Sequence, residues 1–164
     1  MYADADFVGD SGNARSTSGG YLVLVGPNTF FPISWLSRLQ TSTGRSATEN
    51  EVVALATSLF SEATPAPALI LWECLLDRGV HLEIMEDNQA TIRVVLKGYS
   101  AKLRHISRTH KVDISSIHEV VEHDDVEIKY CVTDEQAADI FTKALAPLKW
   151  PNALTLLGIT TKKS

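Results

Sequence analysis

The feature that most limits what this chain can fold into is the place where its hydrophobic period changes. Three extended segments come first, and after them strand patterns alternate with helix patterns. Met1 to Val8 runs with a period of two: Tyr2, Asp4 and Asp6 fall on one face, Ala3, Ala5 and Phe7 on the other. Gly9 to Gly20 is rich in Gly, Ser, Asn and Asp and reads as a loop. Tyr21–Val25 and Phe30–Trp35 read as short apolar strands joined by the turn Gly26-Pro27-Asn28. Together these segments predict an antiparallel meander.

Helices follow. Ser46-Ala47-Thr48-Glu49 has the form of a capping box and opens a helix whose apolar face carries Val52, Leu55, Ala56 and Leu59. Pro65 and Pro67 end it, and a second helix spans about Ala68–Arg78, closed by Gly79. Val80–Met85 reads as a strand, Gln89–Leu96 as a short helix ended by Gly98, and the region from Val112 to Val121 as another helix. Val126–Val132 is the last predicted strand. Thr133-Asp134-Glu135-Gln136 again looks like a capping box, opening a helix to about Lys143, and a short helix lies near Trp150–Leu157. Strands first consecutive and then linked by helices predict an α/β domain. Its sheet is mixed, antiparallel at the start and parallel where helices cross over.

A chain of 164 residues predicts a single domain, 1–164, large enough for a core without disulfides. With 45 % hydrophobic and 21 % charged residues, disorder and low complexity are excluded. No apolar run is long enough to span a membrane, and the N-terminus does not have the form of a signal peptide. The abrupt start at a strand suggests a domain excised from something longer. Cys74 and Cys131 stand far apart and read as two buried thiols in a reducing compartment. The net charge is −5, yet Lys97, Lys102, Arg104, Arg108 and Lys111 follow one another without an intervening acid. Such a strip on an acidic protein fits phosphate contacts, and its bland reading is a solvated loop.

Phosphate-binding glycine loops, the GxSxG elbow and HExxH are all absent. The histidines, His81, His105, His110, His118 and His123, have no zinc-ligand spacing and read as surface or capping residues. The acids say more. Asp4 is a charge in mid-strand, and Asp87 ends the fourth strand, where ligands gather in α/β sheets. Were these two strands neighbours, Asp4 and Asp87 would face each other. Glu51, in the second turn of its helix, and Asp139, in Gln136-Ala137-Ala138-Asp139, can converge on the same point. Four acids together repel one another unless a divalent cation joins them. Glu49 and Glu51 point about 200° apart on their helix. Glu49 is expected to cap the Ser46 backbone N–H, its neutralisation costing at most about 0.5–1 kcal/mol, and Glu51 to look toward the sheet.

These residues sit in phrases that resemble the RNase H domain of copia-type (pseudoviral) retrotransposon Pol polyproteins. The phrases are Tyr2-Ala3-Asp4-Ala5-Asp6-Phe7, Ser16-Thr17-Ser18-Gly19, Ile33-Ser34-Trp35, Ala47-Thr48-Glu49-Asn50-Glu51, Glu86-Asp87-Asn88-Gln89-Ala90, Arg108-Thr109-His110 and Glu135 to Lys143. The resemblance implies an RNase H-like fold, with strand order 3-2-1-4-5 and strand 2 antiparallel to the rest. It implies hydrolysis of the RNA strand of RNA–DNA hybrids during reverse transcription, with two Mg²⁺ ions or Mn²⁺ in their place. Asp4, Glu51, Asp87 and Asp139 would be the catalytic and metal-binding acids, Asp4 bridging both ions, Glu51 and Asp87 completing one shell and Asp139 the other. It further implies a reverse transcriptase domain of the same polyprotein as partner, and a site of action in the cytoplasm or in virus-like particles. Beside the basic strip, Asn88, Gln89 and Ser16 or Ser18 could reach the hybrid. Two departures stand out. The loop Val132-Thr133-Asp134-Glu135 lacks the histidine that many cellular RNases H carry there, and Thr109-His110-Lys111 replaces the family's usual Thr-Lys-His. Two rival readings keep the fold: an inactive module that only binds nucleic acid or packs on a reverse transcriptase, and an enzyme acting on DNA.

Overall fold

A computed structural model describes residues 1–6, 15–63 and 66–159. The meander is β1 (Tyr2–Asp6), β2 (Thr17–Gly26) and β3 (Thr29–Leu39), paired antiparallel, with Asp4 opposite Gly19 and Tyr21 opposite Trp35. β4 (Leu82–Glu86) lies parallel to β1, and β5 (Val126–Tyr130) parallel to β4. The order β3-β2-β1-β4-β5 puts the first and fourth strands side by side, as the resemblance implies. β3 is an edge strand, which lets it carry Pro32, paired with Val23 just past a register shift.

β2 begins earlier than expected, because Thr17 to Gly20 are strand and not loop. The two glycines stand where both faces of the sheet are closely covered. A Cβ on Gly19 would lie 2.5 Å from the Thr142 methyl, and one on Gly20 would lie 2.4 Å from the Ser58 hydroxyl. The predicted loop from 9 to 14, and the last two residues of the predicted first strand, 7 and 8, lie outside the described residues.

α1 (Ala47–Ser58) covers one face of β1 and β2, and a π-helical turn, Leu59–Ala63, continues it. Every residue of α1 from Glu49 to Ala56 is buried, so both of its acids lie inside the protein. Val52, Leu55 and Leu59 meet Ala3 and Ile84 from the sheet. The same core takes Val95 of α3 (Gln89–Lys97) and Ile117 of α5 (Ile114–Val121). Each fully buried Leu or Ile contributes about 1.5–3 kcal/mol. Between α3 and α5 a single helical turn, α4 (Ile106–Thr109), interrupts the basic strip where no element was expected. α2 spans Ala66–Leu76, and Asp77 at φ 51, not Gly79, takes the left-handed conformation after it. Cys131 is buried, but Cys74 is exposed.

The predicted helix 133–143 is instead two 3₁₀ turns, Thr133–Glu135 and Ala137–Phe141. The buried Gln136 divides them. Its Nε2 donates to the Ala3 carbonyl at 2.9 Å, and its Oε1 accepts the Ala138 N–H at 3.2 Å. The extended backbone this requires, ψ 97, interrupts the helical path. These turns and α6 (Trp150–Leu156) cover the second face of the sheet around Tyr21, whose hydroxyl donates to the Leu157 carbonyl at 3.0 Å. Among the described residues, no helix is long and apolar enough to cross a membrane.

Candidate metal centre

Three elements bring one carboxylate each to a common point. Asp4 comes from the middle of β1, Glu51 from α1, and Asp87 from the residue after β4. Each offers an oxygen within 4.8 Å of those of the other two. Asp4 is 2 % exposed and Glu51 7 %. The local sequence sets these positions. Ser46 caps α1 by accepting the Glu49 N–H at 3.2 Å, which fixes where the helix starts and which side Glu51 faces. Asn88 caps α3 by accepting the N–H groups of Ala90 and Thr91, so the chain turns directly after Asp87. Thr142 donates to Asp4 Oδ2, and Thr133 donates to Asp87 Oδ2 at 3.1 Å.

Asp139 reaches this group through a cation. Lys143 Nζ lies 2.8 Å from Asp139 Oδ1 and 3.7 Å from Asp4 Oδ2. The fourth acid is therefore joined to Asp4 by an ammonium bridge, beside the three-carboxylate group.

A fifth acid is present that the sequence reading missed. Glu86 is wholly buried; its Oε1 accepts the Asn88 N–H at 3.1 Å, and its Oε2 has no hydrogen-bond partner among the described residues. The signal was the alternation Leu82, Ile84, Glu86, which puts this carboxylate on the buried face of β4. Its charge acts directly on Glu51. Burial first, then the charges of Glu86, Asp4 and Asp87, raise the Glu51 pKa. Burial likewise raises Glu86 well above the ordinary carboxylate range. Burial pushes Asp4 up to about 6, against the Thr142 hydrogen bond and the Lys143 charge. The site thus gathers more negative charge than its surroundings neutralise. Among the described residues, the buried Glu51 Oε2 has no hydrogen-bond partner. Hard carboxylate oxygens, one of them orphaned and all short of positive charge, suit a divalent cation such as Mg²⁺.

Glu49 does not behave as expected. It is 1 % exposed and accepts the Arg45 N–H at 2.9 Å, not that of Ser46. Its Oε1 lies 3.0 Å from His105 Nε2 and 3.4 Å from His110 Nε2. His110 is buried, so it is no surface histidine. The pairing ties the loop bearing the basic strip to the start of α1, two residues before Glu51.

Lys97, Lys102, Arg104, Arg108 and Lys111 are all exposed, and none forms an ion pair among the described residues. Gln89 is exposed as well, whereas the Asn88 amide oxygen is engaged in capping. Ser16 and Ser18 are buried and cannot reach a ligand. Ser16 accepts from Asn50 Nδ2 at 2.7 Å and Ser18 from Gln40 Nε2 at 3.0 Å.

The chain is similar to three curated plant proteins. It is 30 % identical, over 97 % of its length, to the retrovirus-related Pol polyprotein from transposon RE1 of Arabidopsis thaliana. The corresponding polyprotein from transposon RE2 of the same plant is 29 % identical over 96 % of the chain, and that from transposon TNT 1-94 of Nicotiana tabacum is 29 % identical over 96 %. The chain spans only 10 % of the first two of these proteins and 11 % of the third. No family model and no solved structure matches it.

Proposed function

We propose that this chain is the RNase H domain of a copia-type retrotransposon Pol polyprotein, hydrolysing the RNA strand of RNA–DNA hybrids. The observation that carries this reading is the meeting of Asp4, Glu51 and Asp87 within 4.8 Å, with one buried oxygen of Glu51 unpartnered among the described residues. Asp4, Glu51 and Asp87 would hold one Mg²⁺, and Asp4 with Asp139 a second. Bound Mg²⁺ supplies a water-derived nucleophile at neutral pH and stabilises charge on the leaving oxygen. The chain's own part is positional. Thr142 and Thr133 orient Asp4 and Asp87, the buried helix α1 holds Glu51 in place, and the fixed carboxylates need no serine, cysteine or histidine nucleophile beside them.

The exposed, unpaired basic strip would hold backbone phosphates, with recognition of the hybrid by shape and 2′-hydroxyls. The relatives are far longer than this chain, which supports a partner within the same polyprotein; on our reading that partner is the reverse transcriptase domain and the site of action the cytoplasm or virus-like particles. Phe31 and Trp35 on edge strand β3 are 59 % and 66 % exposed, the kind of apolar surface that another domain covers.

Asp87→Asn keeps the shape of the site and weakens its hold on the ion. Hybrid cleavage should disappear while hybrid binding persists or tightens. Mg²⁺-dependent turnover within tenfold of the parent would remove Asp87 from the metal shell. Hybrid binding should also weaken with salt. Neutralising Lys102, Arg104 and Arg108 together should flatten the log–log slope by about 0.9 for each phosphate no longer neutralised. An unchanged slope would make the strip a merely solvated loop.

A further inference from the structure

Lys143 stands where a second cation would be needed. Its ammonium lies 2.8 Å from Asp139 Oδ1 and 3.7 Å from Asp4 Oδ2, and the charge of Asp87 also reaches it. Asp139 and Asp4 are the two acids assigned above to the second ion. An ammonium and a divalent ion cannot share that gap, because each needs the same oxygens and they repel each other. The Lys143 side chain is 35 % exposed on a flexible four-carbon stem, whereas those of Asp4 and Asp139 are 3 % and 11 % exposed. The lysine is thus the member of this group free to leave. Among the described residues no cation pairs with Glu51 or Asp87, and Asp4 is the one acid of that group that Lys143 also meets.

We infer that Lys143 is a positioning residue that occupies the second cation position in the free chain, so that the ions load in sequence. The first ion enters at Asp4, Glu51 and Asp87. The second enters only when Lys143 swings out, its charge then available to a nucleic-acid phosphate at the mouth of the site. This inference rests on the metal-site reading above and adds an order of loading to it. It also gives the ammonium a purpose between binding events: it screens Asp4 from Asp139.

The test is a titration of Mn²⁺ into the whole chain without nucleic acid. Calorimetry counts the ions, and electron paramagnetic resonance shows whether two of them couple. The parent should bind one ion. Lys143→Met should bind two, coupled, with the second at least about tenfold tighter than any second binding by the parent. Lys143→Arg retains the charge and should bind one. Lys129→Met removes a lysine paired elsewhere, with Glu83 and Glu127, and should also bind one, excluding a net-charge effect. Lys143→Gln serves in parallel should the Met variant not fold. Two ions in the parent, or one in folded Lys143→Met and Lys143→Gln, would overturn the inference and leave the metal site standing. No ion bound to any variant would instead overturn the metal-site reading itself.

Discussion

Glu51→Gln should lower Mg²⁺-dependent cleavage of an RNA–DNA hybrid by about a thousandfold or more, and yet leave the metal-free chain at least as stable as the parent at pH 7. The two effects have one cause. Glu51 lies buried against Glu86, Asp4 and Asp87, and burial with their charges raises its pKa above the ordinary 4.5. A group whose folded pKa is raised stabilises the fold below its unfolded pKa, and that contribution is lost as the pH rises toward the folded value. At neutral pH the empty site therefore bears a cost for this carboxylate, and the neutral amide removes it. Activity moves the other way. Losing a metal-anchored stabilisation of several kcal/mol, at about 1.4 kcal/mol per tenfold, gives a loss of about a thousandfold. Melting curves with and without Mg²⁺ separate the two effects. The parent should gain about 2.7 kcal/mol at a hundredfold excess of ion over its dissociation constant, and the variant much less. A variant that is destabilised without Mg²⁺ would mean that the Glu51 charge holds the fold together.

Glu49→Gln should have the opposite profile: a loss of about 2–4 kcal/mol of stability, with cleavage by the folded fraction retained. Sequence pattern alone suggested a capping residue worth at most about 0.5–1 kcal/mol. The structure raises that figure, because Glu49 is 1 % exposed and meets both His105 and His110. The amide can still accept the Arg45 N–H, but it cannot serve as the anionic partner of two imidazoles. Chemical denaturation measures the loss. A change below about 0.5 kcal/mol would show that the histidines contribute nothing through Glu49. Cleavage abolished in step with Glu51→Gln would place Glu49 in the metal shell and shift the reading of α1 by two residues.

What the sequence made legible follows from how local each signal is. The Ser46 cap is where expected because it depends on residues within one turn, and α3 begins after Asn88 and ends at Gly98 for the same reason. The sheet order was legible through the family phrases and the shift in period, which together place β1 beside β4. Long-range interactions were not. The capping-box pattern at Thr133 did not produce an α-helix, because Gln136 satisfies the Ala3 carbonyl more than a hundred positions away in sequence. The burial of His110 depends on a loop folding back on Glu49, which no spacing reveals. Lys143 ends a family-like phrase without any role visible there, since its place between Asp4 and Asp139 exists only in three dimensions. Glu86 is a different kind of miss. The alternation of β4 displays it, but the strand-end position of Asp87 is the stronger local signal and masks it.

The most direct measurement follows product formation by the purified chain on three labelled substrates of one sequence: RNA–DNA hybrid, duplex DNA and duplex RNA, each with Mg²⁺ and with chelator. The account predicts cleavage of the RNA strand of the hybrid alone, dependent on Mg²⁺ and absent in Asp87→Asn. Hydrolysis of duplex DNA at a comparable rate, or no cleavage of the hybrid by folded, ion-loaded protein, would contradict it.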